Sequence, residues 1–174
     1  PAVLVIGAVA GLDLAWFERR PLFGKRIQVT GGDMGARLRE LGAEVIETPA
    51  IEIVDVEWTV PDVASYDWVL FTSANAVDRF VGRLHDSRAF GRARVAAIGS
   101  GTADALARWH VVADLVPPEA VAESLLDALP AQPARALLPR AVVARDVLPD
   151  GLRARGWTVD VLDVYRTEQL PITD

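Results

Sequence analysis

The sequence predicts an α/β protein, a parallel sheet with helices on both faces. Three observations predict it. Short apolar runs such as Trp68–Phe71 recur along the chain, segments with apolar residues at helical spacing alternate with them, and glycine or proline separates one from the next.

Gly24–Thr30 reads as the first strand. Asp33–Leu41 follows as a helix with Met34, Leu38 and Leu41 inward, and Gly42 stops it. A second strand runs over Ala43–Glu47. Pro49 and the alternation Ile51, Ile53 then lead through Trp58 and Pro61 into a new series, which puts a crossing between domains near residues 54–64.

The second series is regular. Strand Trp68–Phe71 turns into a helix over Asn75–Leu84 that sets Ala76, Val77, Phe80, Val81 and Leu84 on one face. Strand Arg94–Ile98 precedes helix Thr102–Trp109, strand Ala113–Val116 precedes helix Ala120–Leu129, and strand Ala136–Leu138 precedes a helix that ends at Gly156. Thr158–Val164 is the last strand. Proline is tolerated in a helix's first turn and costs roughly 3 kcal/mol deeper inside, so Pro149 sets the regular part of the fourth helix from about Asp146 onward. The outcome is about five parallel strands in a unit of about one hundred residues, large enough to bury its own core. The piece from Gly24 to Glu47 is too small to cover both faces of its sheet. Glu168–Asp174 leaves the last strand through Pro171 and heads back toward that unfinished piece, so the chain is expected to be truncated at its C-terminus.

Half of the 174 residues are apolar, yet none of the apolar runs reaches the length of about eighteen that spans a bilayer, and no basic leader precedes a small-residue cleavage site. A soluble, cytoplasmic protein with no membrane partner is expected. Without cysteine there are no disulfides, thiolate nucleophiles or cysteine zinc sites, and His85 and His110 stand too far apart for a metal cluster, so no metal is expected. A formal charge of −6 argues against a nucleic-acid partner, whose affinity comes from clustered Lys and Arg releasing counterions. It leaves room for a small polyanion held locally.

The junction Trp68-Val-Leu-Phe-Thr-Ser-Ala-Asn-Ala-Val77 is the most informative stretch. Strand-to-helix turns of open parallel sheets lie at the carboxyl edge, so the Thr72 and Ser73 hydroxyls and the free N–H groups of the following helix face any ligand, an anion above all. The plainer role of Ser73 is helix N-cap.

Four phrases occur in order: Phe71-Thr-Ser-Ala-Asn-Ala-Val77; Ala96-Ala-Ile-Gly-Ser-Gly-Thr102; Leu137-Leu-Pro-Arg140 with Arg145-Asp-Val-Leu-Pro149; and Val164-Tyr-Arg-Thr167. Together they resemble uroporphyrinogen-III synthase over roughly Leu22–Leu170. The resemblance implies two flavodoxin-like domains joined by a two-stranded linker, the first built from both ends of the chain. It divides the sequence into a partial first domain at 22–53, a complete second domain at 54–167 and a return linker at 168–174. Pro1–Ala10 with Leu14–Glu18 looks like the last strand and tail of uroporphyrinogen-III C-methyltransferase, which implies that residues 1–21 are a linker from a fused upstream domain; a strand of this domain's own sheet is the alternative. That segment has no glycine-rich cofactor loop, so methyl transfer is not assigned to it. The chain departs from the family at Gly31-Gly32, where an Arg and a longer loop are usual, and at Val56–Tyr66, which is short. As supplied, it is expected to be inactive.

By resemblance the reaction is cyclisation of the linear tetrapyrrole hydroxymethylbilane to uroporphyrinogen III, with inversion of the terminal ring, loss of water and no cofactor. The pyrroles are nucleophilic and the departing hydroxyl leaves a delocalised azafulvenium cation, so catalysis is largely positioning through a spiro intermediate. The substrate carboxylates call for many N–H and O–H donors, which helix N-termini supply without strong positive charge that would oppose the cation. Tyr165 matches the family tyrosine thought to assist departure of the hydroxyl; a phenol donates a hydrogen bond at neutral pH. Its alternative role is packing, with a wet hydroxyl. Thr72, Ser73, Ser100, Gly101 and Thr102 are the expected substrate-binding residues, the glycines allowing close backbone approach, although Thr102 also suits a helix N-cap. Arg140 and Arg145 are placed with them as carboxylate partners, Arg145 having a surface ion pair with Asp146 as its alternative.

Two readings from other classes compete. One is a non-enzymatic flavodoxin-like binding or receiver domain, but the strand ends at Thr72, Gly99 and Pro139 carry no acidic cluster for a receiver's metal. The other is a structural C-terminal appendage of a methyltransferase, resting on residues 1–18 alone.

Overall fold

A computed structural model describes residues 6–7, 11, 15–31 and 34–171. The chain forms two compact units, Pro1–Glu52 with Gln169–Asp174, and Ile53–Glu168. No helix among the described residues is long and apolar enough to cross a membrane.

In the first unit Arg26–Val29 (β1) and Glu44–Glu47 (β2) pair in parallel, with Met34–Glu40 (α1) between them in sequence. Gly42 ends the helix at φ 97°, and a Cβ there would come within 2.8 Å of the Arg20 Cβ, so both backbone and space require glycine. The inward face expected of α1 is corrected: Met34 is 63% exposed and Leu41 36%, Leu38 is half-buried, and Gly35 is the buried residue of the helix. Two short strands and a two-turn helix offer too little apolar surface to seal a sheet. The expected helix start at Asp33 and most of Pro1–Ala10, with Leu14, lie outside the described residues.

The second unit holds the main sheet, in the order β3-β7-β6-β4-β5: Ile51–Asp55 (β3), Trp68–Phe71 (β4), Arg94–Ala97 (β5), Arg135–Ala141 (β6) and Thr158–Gln169 (β7). β4 pairs in parallel with β5 and β6, and β6 with β7. Side chains alternate across β4, which builds two cores. Val69 and Phe71 pack with Val77 and Phe80 of Ala74–Val81 (α2) and Leu106 of Ser100–Arg108 (α3). Trp68 and Leu70 pack with Leu125 of Ala122–Ala128 (α4) and Leu148 and Leu152 of Val147–Ala154 (α5).

Two sequence expectations change. Ala113–Val116 is not a strand but a single parallel bridge between Ala96 and Leu115. The Asp114 carboxylate takes the Val95 N–H at 2.7 Å, and Pro117 and Pro118 follow without donors, so no ladder extends. β3 takes the fifth place, beside β7. The last strand also runs on to Gln169, past its expected end at Val164.

Sheet order fixes where a ligand fits. β4 connects onward to β5 on one flank, while the later strand β6 lies on the other. The switch point falls between β4 and β6, where open α/β sheets bind ligands outside their carboxyl ends. A β-bulge adjusts this edge. β6 and β7 stay in register from Arg135 opposite Thr158 to Arg140 opposite Asp163, then shift so that Ala141 faces Tyr165. The extra residue, Val164, turns Tyr165 onto the α2/α3 face, where both join the core with Phe71 and Val77.

At the opposite, amino edge, Tyr66 Oη donates to Asp160 at 2.9 Å, Arg135 donates to the same carboxylate at 2.9 Å, and the guanidinium lies 4.4 Å over the Tyr66 ring. Burial, then the bond to Asp160, pushes the Tyr66 phenol up; Arg135, then Tyr66, holds the Asp160 carboxyl below its usual range. An acid depressed in the folded state stabilises the fold above its unfolded value and loses that contribution as pH falls through the folded one. Asp160→Asn should therefore flatten the loss of unfolding free energy on acidification below about pH 4, as urea titrations at stepped pH would show. Phe80, fully buried between the Trp58 ring at 5.6 Å and the Phe71 ring at 5.8 Å, tests the core: Phe80→Ala should cost about 3–5 kcal/mol in the same assay.

Candidate functional site

The carboxyl edge of the main sheet carries a pocket of about 240 Å³ at the switch point. Thr72 enters it after β4, Ile98 after β5, and Leu138 and Arg140 from β6, while the first turns of α4 and α5 close its sides with Val121 and Val147. Arg145 stands on its rim, and Glu123 supplies an acidic group from α4.

Arg140 and Arg145 differ in what they are free to do. The Arg140 side chain is 14% exposed, donates to Asp146 at 2.7 Å, and sets its Nε 3.8 Å from Asp163 with no hydrogen-bond partner. It also reaches the Arg145 carbonyl at 3.5 Å, tying down the loop that follows β6. Asp146 is thus the partner of Arg140, which removes the alternative role of Arg145 as its surface ion-pair partner. Arg145 is exposed, so its guanidinium is available to an incoming carboxylate.

The neighbours Thr72 and Ser73 serve opposite faces, as strand alternation dictates. Ser73 is the N-cap of α2, extended at φ −158°, and its Oγ accepts the Ala76 N–H at 3.1 Å. The same oxygen lies 3.1 Å from Tyr165 Oη. Tyr165 is 7% exposed, so its hydroxyl is not the wet tip of a strand-end ring: β7 continues past it, and the bulge turns it to Ser73. Two groups result. Thr72, Arg140 and Arg145 share the α4/α5 side, while Ser73 and Tyr165 share the α2/α3 side.

Ser100, Gly101 and Thr102 form the first turn of α3, at the carboxyl end of β5. Gly99, not Thr102, is the N-cap. A Cβ at Gly99 would come within 2.6 Å of the Ala120 Cβ, so glycine there lets two loops close together, whereas Gly101 faces open space. Thr102 is buried at 6% exposure. None of the three lines the pocket holding Thr72. Sequence reasoning missed Asp146 and Asp163 as the anchors of Arg140, and Glu123, since no local pattern marks them. Among the described residues no group of three or more His, Asp or Glu gathers as a metal site.

With this geometry in view, the family model for "Uroporphyrinogen-III synthase HemD" matches residues 32–173. A porphyrin biosynthesis protein HemD of Ruminiclostridium josui is 28% identical over 98% of this chain and 38% of its own length. A uroporphyrinogen-III synthase of Synechococcus elongatus is 33% identical over 85% of this chain and 62% of its own length. The chain thus spans less than two thirds of either relative. A crystal structure of a mutant uroporphyrinogen III synthase from the extremely thermophilic bacterium Thermus thermophilus superposes with a TM-score of 0.62 at 23% identity, over 84% of this chain and 64% of that one. The Helicobacter pylori uroporphyrinogen-III synthetase gives 0.59 at 17% identity, over 86% and 64%. At those identities the structures establish a shared fold, mixed α/β with parallel sheets.

The two arginines make a paired test. Arg145→Ala should leave the unfolding free energy within about 0.5 kcal/mol of wild type. Arg140→Ala removes a half-buried guanidinium from the water-accessible Asp146 and Asp163 and should cost about 1 kcal/mol, read by denaturant unfolding.

Proposed function

Because this chain belongs to the uroporphyrinogen-III synthase family, we propose that it acts in the cyclisation of hydroxymethylbilane to uroporphyrinogen III. The terminal ring inverts, water departs and no cofactor takes part. The observation that carries this reading is the hydroxyl pair Ser73–Tyr165 at the carboxyl edge, beside a pocket holding Thr72 and the exposed Arg145. A phenol at that edge can donate a hydrogen bond to the departing hydroxyl, whose C–O electron pair leaves with the oxygen. The resulting azafulvenium cation is stabilised by its own pyrrole nitrogen. The protein then has to hold the chain coiled until the terminal ring is attacked, which is catalysis by orientation.

The acidic balance of the chain fits a polycarboxylate for the same reason that a cationic intermediate fits it. Backbone N–H groups at the starts of α2 and α3 offer dipoles rather than full charges, so they bind carboxylates without raising the energy of the cation. Thr72, Ser100, Gly101, Thr102 and Arg145 are the proposed carboxylate contacts, and Arg140 shapes the loop that presents Arg145.

At the level of architecture we propose two flavodoxin-like domains. The parallel core β5-β4-β6-β7, with helices on both faces, is the basis for reading residues 54–167 as one of them, with 22–53 and 168–174 belonging to the other domain and its linker. A methyltransferase fused upstream of residues 1–21 rests on the likeness of Pro1–Ala10 and Leu14–Glu18 alone. The partner is the small-molecule bilane; neither nucleic acid nor membrane is proposed, and the setting is the cytoplasm.

Full-length protein supplied with freshly made hydroxymethylbilane should yield the type III isomer. Exclusive formation of type I, which arises spontaneously, would overturn the assignment. Tyr165→Phe should slow type III formation by about a hundredfold, the lower range of proton-donor effects. Its stability should fall by only about 1 kcal/mol, the worth of one hydrogen bond.

A further inference from the structure

We propose that Ser73 is a positioning residue rather than a substrate contact: it donates its proton to Tyr165 Oη and so leaves the phenol's own proton free to point at the departing hydroxyl. The proposal rests on the cyclisation read above and assigns the hydrogen-bond direction within that site. The Ser73–Tyr165 contact of 3.1 Å admits either atom as donor; two observations favour Ser73 and a third holds the pair in place.

The first is valence. A serine hydroxyl has one proton and two lone pairs. One lone pair of Ser73 already accepts the Ala76 N–H at 3.1 Å, so a proton and one lone pair remain, and giving the proton to Tyr165 avoids placing two donors on one oxygen. The second is the field. That N–H belongs to the first turn of α2, an eight-residue helix whose positive end withdraws electron density from the oxygen it binds, making Ser73 a stronger donor and a poorer acceptor. The third is position. Ser73 is extended at the end of β4 and cannot rotate freely without giving up its cap, while Tyr165 is fixed by the bulge and by packing against the α2/α3 core. The two rigid anchors hold the oxygens in line. The chain of donors therefore runs from the Ala76 N–H to Ser73, from Ser73 to Tyr165, and from Tyr165 outward. Each bond polarises the next, so the phenol becomes a better hydrogen-bond donor where the leaving oxygen needs it.

The test separates this role from simple capping. Glycine caps a helix nearly as well as serine but has no hydroxyl, so Ser73→Gly should keep the melting temperature close to wild type while lowering kcat for type III formation about tenfold, with KM unchanged. Ser73→Thr keeps both cap and proton and should recover most of the rate. In the Tyr165→Phe background Ser73→Gly should cost nothing further, because the relay then has no end. Additive losses in the double variant, a Ser73→Gly enzyme with wild-type kcat, or an effect confined to KM would each overturn the relay while leaving the cyclisation standing. Wild-type protein that yields type I alone would overturn the cyclisation itself, and the relay with it.

Discussion

One displaced register controls the chemistry available at this edge. Strand β7 alternates its side chains across the sheet, and uninterrupted alternation would send Tyr165 toward α4 and α5, away from Ser73. The bulge opposite Arg140 and Ala141 adds one residue and reverses that outcome. The tyrosine hydroxyl then meets the N-cap of α2, while the neighbouring turn of β6 keeps Arg140 on the other face, held by Asp146. The Ser73–Tyr165 hydroxyl pair and the pocket holding Thr72 and Arg145 thus lie on opposite faces of one sheet edge. The bulge serves both, since Asp163, the last residue in register before it, stands 3.8 Å from the Arg140 Nε.

The charge at this edge suits the polyanionic substrate and cationic intermediate proposed above. A row of free arginines would bind carboxylates tightly and oppose the azafulvenium. Here Arg140 is neutralised locally by Asp146 and Arg145 stands open at the rim. The remaining donors are helix-start amides and hydroxyls, which turn toward negative charge without carrying a net positive one. The strongly paired arginine at the amino edge, Arg135 with Asp160 and Tyr66, ties β6 to β7 far from the pocket and adds stability rather than a site.

Much of this was legible in the residues. The continuous apolar run at Trp68–Phe71 followed by a capping serine and a helical stripe defines β4 and α2 because strand, cap and helix signals agree locally. The same holds for α3 and α5, whose limits differ from expectation by one or two residues. Other features were hidden because composition and spacing alone do not reveal which partners a segment meets. Ala113–Val116 has strand composition, but Asp114 and the prolines after it allow only one bridge. The α1 stripe has helical spacing, but the described residues of its unit leave Met34 and Leu41 exposed. Val164 looks like any strand valine, and nothing near it announces that β6 holds one residue fewer. Arg145 next to Asp146 suggested an ion pair by adjacency, whereas the fold gave Asp146 to Arg140, six residues back.

The most direct measurement is a crystal structure of the full-length protein with a non-cyclising bilane analogue bound. The account predicts the hydroxymethyl-bearing end within about 3 Å of Tyr165 Oη, a hydrogen-bonding distance, with side-chain carboxylates on Thr72, Arg145 and the α3 amides. An analogue seated at the amino edge beside Arg135, or one whose leaving group makes no contact with Tyr165, would contradict it.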